Sequence, residues 1–327
     1  MENLSYWKGK KVLVTGADGF IGSHLTERLV QAGAQVSVLV RGSSISGTYR
    51  FHLKNIGHLR KDLRHIIAVN IASPDTIHLV KKNAPSVIFH LAADAYVPYS
   101  FDHPFEVMAT NLHGTLNILH AAMKIDSLER AVCTSSSEIY GTALTAKISE
   151  EHPLNPTSPY AASKVAADRF AYSYYLTYGL PVAIIRPFNT YGPRHTYDVI
   201  PKFIDLALKG EPITVYGAGL QSRDFTFVDD TVRAFLVMGR DKKAIGRVVN
   251  FGTGTHVSVN KIAKLIVRYS GSRSPIVHIK KRLAEVKKLC CDASLAKRLF
   301  GWVPTVSIEE GLQRNIEWQR KNRTERT

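Results

Sequence analysis

Cysteine is scarce in this chain, and the three present are poorly placed for bridging: Cys133 stands alone, while Cys290 and Cys291 are adjacent. Three thiols cannot all pair, and no Cys or His spacing suggests a metal, so a reducing cytoplasm and no metal site are expected. Long apolar runs are missing too. Nothing approaches the roughly 20 residues needed to cross a bilayer. The opening MENLSYWKGK leads into KKVLVTG without the charged-then-apolar pattern of an export signal. No internal repeat or low-complexity stretch appears. Acidic residues are in short supply, 27 against 43 Lys and Arg, which leaves a net charge of +16. The basic residues are spread out, with mild clusters only at 280–288 and after Trp318, and no nucleic-acid motif accompanies them. The surplus therefore reads as solubility plus a general pull on anionic small ligands, with no nucleic-acid or membrane partner.

What is present is an alternation. Short β-branched runs occur at 11–16, 35–41, 65–70, 86–92, 130–135, 181–187 and 248–252, separated by amphipathic stretches such as SHLTERLVQAG (23–33) and TNLHGTLNILHAAMK (110–124). Strands alternating with helices imply βαβ units and a parallel sheet. Continuous apolar runs such as VIFHLA fit strands covered on both faces. From about residue 190 the turn signals multiply (YGPRH, KGEP, YGAG) and the helices shorten. The expected fold is α/β: a Rossmann-type doubly wound parallel sheet with a smaller C-terminal α/β substrate-binding lobe. The dinucleotide domain is expected over 1–187, with strand 248–252 returning to it. The lobe covers 188–327 and lies over the carboxyl ends of the strands, where open sheets bind ligands.

Gly16, Gly19 and Gly22 in GADGFIG follow the first strand run and open the first helix. Glycines there permit a tight turn and close approach to a pyrophosphate, which the helix N-terminus attracts. An acid that would accept from an NAD ribose is missing at the end of the second strand. Val40 stands there instead, followed by Arg41, Gly42, Ser43 and Ser44. A guanidinium with nearby hydroxyls suits a 2′-phosphate, so NADP is favoured, with NAD possible. Asn70, ending the third strand, is a candidate for the adenine.

YAASK places Tyr160 and Lys164 four residues apart on one helix face, after the turn-rich EHPLNPTSP. An ammonium near a phenol favours the phenolate, and such a tyrosine can take a proton from a sugar hydroxyl as a hydride leaves the same carbon. At the end of the fifth strand, TSSSEIYG sets three hydroxyls and the carboxylate of Glu138 in a row. His90, His152 and His195 read as structural or rim groups, because no carboxylate spacing makes them metal ligands. Asp229 and Asp230 read as a helix N-cap with a dipole-favoured acid, and Cys133 as a packed core thiol.

GADGFIG, HLAADAYVPYSFDHP, TNLHGT, SSSEIYG, YAASK, RPFNTYGPR, SRDFTFVDD and VNFGTG span nearly the whole chain. Together they resemble the extended short-chain dehydrogenase/reductase family, specifically its nucleotide-sugar epimerases and dehydratases. That resemblance implies roles by position. Ser136 bonds the sugar 4-OH, Tyr160 is the base at that oxygen, and Lys164 holds Tyr160 and the nicotinamide ribose. The cofactor-binding set is Gly16, Asp18, Gly19, Phe20, Ile21, Gly22, Arg41, Ser43, Asn70, Ile71, Leu91, Ala92, Ala93, Asn111, Tyr160, Lys164 and Pro187. On the substrate side stand Tyr96, Ser136, Asn189 for the phosphate, Val199, Ile200 and Tyr216. Arg223 and Arg282 would clamp the diphosphate, with Glu285 near the nucleoside ribose. Leu283 departs from the proline that many relatives carry after the arginine. A homodimer through helices at about 103–124 and 160–178 is also implied.

All members share oxidation at C4. A 4,6-dehydratase must in addition remove the C5 proton and expel the C6 hydroxyl, which calls for a carboxylate beside C5. Ser136-Ser137-Glu138 resembles the Thr-Ser-Glu of GDP-mannose 4,6-dehydratases, which UDP-glucuronate decarboxylases carry as well, with Ser137 where other dehydratases carry Asp. RPFNTYGPRHTYDVIP and EVKKLCCDASLAKRLFGW are closer to the N-acetylhexosamine 4,6-dehydratases. The expected activity is a nucleotide-sugar 4,6-dehydratase. UDP-glucuronate decarboxylase and 4-epimerase are the alternatives, and a non-catalytic dinucleotide sensor is a distant one.

Overall fold

The computed structural model describes residues 4–41, 53–281 and 286–324. All seven β-branched runs form strands: β1 (Lys11–Thr15), β2 (Gln35–Val40), β3 (His65–Ala68), β4 (Val87–His90), β5 (Arg130–Thr134), β6 (Val182–Pro187) and β7 (Val248–Phe251). They make one sheet in the order β7-β6-β5-β4-β1-β2-β3. From β6 through to β3 every neighbouring pair is parallel. Their continuous apolar character follows from burial on both faces: Leu13, Val14, Val36, Val38, Val87, Ile88, Phe89, Ala131 and Val132 are all closed to water. Strand order reverses direction between β1 and β4, and such a switch point opens a crevice at the strand ends.

The chain divides into two compact units. Unit 1 comprises 1–139, 158–186 and 232–249, and unit 2 comprises 140–157, 187–231 and 250–327. In unit 1, helix α1 (Phe20–Gln31) buries Leu25 and Leu29, which at roughly 1.5–3 kcal/mol each anchor it to the sheet. Helix α2 (Asp75–Asn83) and helix α3 (Gly114–Ala122) pack on each other. Ahead of α3 the backbone widens into a π-helical turn over Ala109–His113, so the helix foreseen at 103–124 is a composite of three pieces. Helix α4 (Pro159–Tyr178) follows textual start and stop signals. The Ser158 hydroxyl accepts from Ala161 N, Pro159 takes the first position, and Gly179 closes the end with left-handed backbone.

Unit 2 is built on three helices, with Val259–Ser270 packed against both Val199–Lys209 and Ile308–Thr324. A parallel pair of short strands, Ile213–Tyr216 and Ile276–Ile279, accompanies them. Trp302 packs edge-on against Phe251 at 5.0 Å and donates from Nε1 to Asp230 O. Among the described residues no helix is long and apolar enough to cross a membrane, and no cluster of three or more His, Cys, Asp or Glu could hold a metal.

Candidate active site

The glycine loop after β1 turns through Gly16 at φ +67°, and a Cβ there would meet Ala92 N at 2.8 Å. A Cβ on Gly22 would lie 2.1 Å from Gly16 O, so the turn closes on itself only with glycine at both places. Gly19 caps α1 with no side-chain bond, so the positive end of the helix faces the turn. This cradle fits a dinucleotide pyrophosphate. The Asp18 carboxylate accepts from Lys54 N (2.9 Å), Asn55 N (2.8 Å) and Ile56 N (3.1 Å), and Asn55 Nδ2 donates to Asp18 O. Asp18 thus ties residues 54–56 to the loop.

Arg41 is exposed (76% of its side chain), with Asp94 Oδ1 at 4.0 Å, and Ser43 lies outside the described residues. Asn70 Oδ1 accepts from Ala72 N in a tight turn. Ile71 is buried in the apolar core against α3, where a Cβ on Gly114 would touch it. Leu91, Ala92 and Ala93 follow β4, and the first two donate N–H to Thr15 Oγ1 at 3.1 Å. Pro187 ends β6.

The groups expected to do acid–base work lie at the end of β5 and on α4. Ser137–Tyr140 form a 3-10 turn, and the Ser136 hydroxyl accepts from Glu138 N at 3.2 Å. Ser136 and Glu138 are half-buried, whereas Ser137 is 2% exposed. On α4, Tyr160 and Lys164 are both buried, one turn apart, and Asp168 lies one turn further along. Lys164 Nζ donates to Thr134 O, which draws the ammonium to the end of β5. Burial pushes the Lys164 pKa down to about 8, with Cys133 and Asp168 pulling the other way. Cys133, beside it in β5, is pushed by burial up to about 12 and is an inert packed thiol.

Sequence reasoning gave Asn111 a role but not its partners. Asn111 Nδ2 donates to Asp94 O (3.1 Å) and Ser163 Oγ (2.9 Å), and its Oδ1 accepts from Asp94 N (2.8 Å). Ser163 in turn donates to Tyr160 O at 2.7 Å. Asp168 was also missed. It binds Arg186 and Arg169, and the four-residue step from Tyr160 to Lys164 to Asp168 is the signal that could have found it. Tyr96 and Ser136, both expected on the substrate side, lie in unit 1, with Tyr96 46% exposed.

Unit 2 holds the others. Asn189 is half-buried and its Oδ1 has no partner among the described residues, a free acceptor in a chain otherwise rich in donors. Ile200 is buried in the first turn of its helix, with Val199 half-exposed before it. Arg223 donates to Ser222 O and Val286 O at 3.0 and 2.8 Å. Directly after Tyr216 in the chain, Gly217, Ala218, Leu220, Gln221, Lys281 and Lys287 line a cavity of about 280 Å³ whose two lysines favour an anion. Arg282 and Glu285 lie outside the described residues. One expectation needs correcting. Asp230 does not cap its own helix: its carboxylate accepts from Thr305 N, Thr305 Oγ1 and Val306 N, while Asp229 pairs with Arg314. The two acids do sit in the first turn of Val228–Arg240, where the helix dipole favours them.

Residues 13–315 match the family model described as GDP-mannose 4,6 dehydratase. The chain is 35% identical to the UDP-N-acetyl-alpha-D-glucosaminuronate decarboxylase of Bacillus cytotoxicus, over 95% of this chain and 98% of that protein. It is 33% identical to the UDP-glucuronate 4-epimerase of Thermodesulfobacterium geofontis, over 95% and 96%. The crystal structure of DesIV, a dTDP-glucose 4,6-dehydratase from Streptomyces venezuelae with NAD and TYD bound, superposes with a TM-score of 0.86 at 30% identity, covering 96% of this chain and 98% of that one.

Proposed function

Since the chain belongs to the nucleotide-sugar dehydratase, epimerase and decarboxylase family of extended short-chain dehydrogenases/reductases, we propose that it is the dehydratase among these: a 4,6-dehydratase acting on a nucleoside-diphosphate hexose. The observation that carries the reading is Glu138, a half-buried carboxylate two residues beyond Ser136 at the end of β5. An epimerase needs no base at C5, and a dehydratase does.

A nicotinamide cofactor held by the glycine cradle of Gly16, Gly19 and Gly22 would supply the hydride acceptor at C4 and the hydride donor at C6. The residues of this chain move the protons. Tyr160 takes the C4 hydroxyl proton, with Ser136 bonded to the same oxygen and the Lys164 ammonium favouring the phenolate. Glu138 removes the C5 proton, which the new ketone acidifies, and the C6 hydroxyl leaves with that proton as water. As hydride returns to C6, C5 takes up a proton in place of the one Tyr160 removed and Tyr160 gives its proton up, so the net change is loss of one water from the sugar. Arg41, exposed at the end of β2, supports NADP as the cofactor, while the bound NAD of DesIV supports NAD. Asn189, Arg223 and the lysine-lined cavity of unit 2 would hold the diphosphate and nucleoside. The exposed apolar residues Phe105 (80%), Met108, Phe170 and Leu176 on the helices of unit 1 support a homodimer through that face, which a sedimentation mass of a single chain would refute.

A second reading is decarboxylation of a nucleotide-linked uronic acid, favoured by the 35% identity to a protein of that name. One experiment separates them. The protein is incubated with UDP-GlcNAc, GDP-mannose, dTDP-glucose and UDP-glucuronate, with NAD or NADP, and the products are weighed. Loss of water supports the dehydratase, loss of carbon dioxide the decarboxylase, and unchanged mass with a new C4 configuration the epimerase. Glu138→Gln should retain nucleotide binding, abolish solvent deuterium entry at C5, and lower turnover by about a hundred- to ten-thousand-fold. Continued exchange at C5 would remove Glu138 from the role.

A further inference from the structure

His90 ends β4 beside Thr15 of β1, its register partner, and is 4% exposed. Its two ring nitrogens are both bonded: Nδ1 to Thr15 Oγ1 at 2.8 Å and Nε2 to Thr115 Oγ1 at 2.9 Å. The neighbours decide which nitrogen carries the proton. Thr115 Oγ1 gives its single hydrogen to Asn111 O at 2.6 Å, so toward His90 it can only accept, and Nε2 must be the donor. Thr15 Oγ1 already accepts from Leu91 N and Ala92 N, so its hydrogen points to Nδ1, which must be bare. A second proton on the ring would confront the Thr15 hydrogen with no lone pair to receive it.

We propose that His90 is a positioning residue, locked as the neutral Nε2–H tautomer, which couples the dinucleotide loop to the tyrosine helix. The bonds run without a break. Leu91 and Ala92 donate to Thr15, Thr15 to His90, His90 to Thr115, and Thr115 to the carbonyl of Asn111 in the π-helical turn. The Asn111 side chain then binds Ser163, and Ser163 binds Tyr160 O. At the first end Ala92 N is the atom against which Gly16 is packed; at the last is the backbone of the phenol that acts on the sugar. The imidazole thus sets the spacing between cofactor loop and base, which is why a residue with one donor and one acceptor on opposite sides is required. Burial, with the Lys164 charge adding to it, pushes the His90 pKa down to about 3, in keeping with a ring that stays neutral.

The inference rests on Tyr160 and Lys164 acting on the substrate, and its tests separate from that reading. Ring-nitrogen NMR of the cofactor-bound protein should show a His90 Nε2–H signal that does not titrate between about pH 5 and 9. An Nδ1–H tautomer, or titration near the ordinary histidine value, overturns the proposal whatever Tyr160 does. His90→Phe keeps the shape and cuts both bonds. It should lower kcat about a hundredfold, the order expected of a small misplacement, with KM for the nucleotide sugar within about threefold. Thr115→Val should lose about tenfold in kcat while Thr115→Ser, which keeps the hydroxyl, recovers it, and this pair serves if His90→Phe fails to fold. Unchanged kcat in folded His90→Phe, or equal kcat in the two Thr115 variants, overturns the coupling. Full turnover in Tyr160→Phe would instead defeat the reading beneath it.

Discussion

Asp168 in unit 1, at 2% exposure, and Asp224 in unit 2, at 0%, are both almost completely buried, and the two are held in opposite ways. Asp168 faces cations. Arg186 reaches it from Nε at 2.8 Å and from a terminal nitrogen at 3.1 Å, and Arg169 adds a further pair of bonds. Burial alone would raise its pKa, but the bonds and charge of Arg186, then Arg169, leave it lowered. Asp224 faces only neutral donors: Thr253 N and Oγ1 on one oxygen, Gly254 N and Cys291 N on the other. Four well-formed bonds fail to offset its burial, and its pKa is raised. A full opposite charge keeps a buried carboxylate ionised where neutral dipoles do not.

The sharpest way to break this contrast is Arg186→Met. It strands Asp168 in a dry site with only the half-exposed Arg169 beside it, and should cost about 3–5 kcal/mol in unfolding free energy. The pH signature carries a sign. A lowered carboxylate pKa stabilises above its unfolded value and loses that stabilisation as pH falls, so the deficit of the variant should shrink in acid. Denaturant titrations at about pH 7 and about pH 3, the second below the unfolded value of 3.8, test this; an equal deficit at both would mean the charge pair contributes nothing. Asp224→Asn comes next. With the amide nitrogen toward Gly254 N and Cys291 N two buried donors lose their acceptor, and with it toward Thr253 one does, since the hydroxyl can turn to Thr255 O, for about 1–3 kcal/mol. Here the sign is reversed. The raised pKa means the ionised form costs stability at neutral pH, and that cost fades as pH falls through the folded pKa toward the unfolded one. The deficit of Asp224→Asn should therefore grow in mild acid, and a deficit that shrinks would contradict the contrast.

Neither partnership was visible in the sequence, although much around it was. The seven strands, the glycine turn, the Ser158–Pro159 helix start and the Tyr160–Lys164 face are all local patterns, written within a few residues of each other. Arg186 lies 18 positions from Asp168 and Thr253 lies 29 from Asp224, across a strand change in each case, so no periodicity links them. The same holds for His90, whose two hydroxyl partners are 75 and 25 residues away. Asp230 shows the opposite error: a local rule assigned it to its own helix, and a loop 75 residues on took its carboxylate. Asp18 belongs with it, since the glycine motif suggests a ligand and the backbone of 54–56 occupies the side chain. Close-range rules found the strands, turns and helix faces; the long-range partners that set the charge states came from packing.

Lys164 extends the contrast to a buried cation, with the smallest expected effect. It is 4% exposed, its Nζ bonds to a neutral carbonyl of Thr134, and Asp168 beyond it is engaged by two arginines. Like Asp224, it therefore lacks a dedicated opposite charge, and burial lowers its pKa from an ordinary 10.5 to about 8. A lowered lysine pKa is a penalty that is full below the folded value and vanishes as pH rises past the unfolded one. At neutral pH the shift corresponds to roughly 3 kcal/mol of cost, from which the bond to Thr134 O recovers part. Lys164→Met should accordingly abolish turnover yet stabilise the cofactor-free fold at pH 7 by about 1–2 kcal/mol, with the gain shrinking between about pH 8 and 10.5. A variant that is less stable at pH 7, or whose gain is flat across that window, would show that Lys164 is held as comfortably as Asp168, and the burial of an uncompensated charge beside Tyr160 would no longer mark a site selected for chemistry over stability.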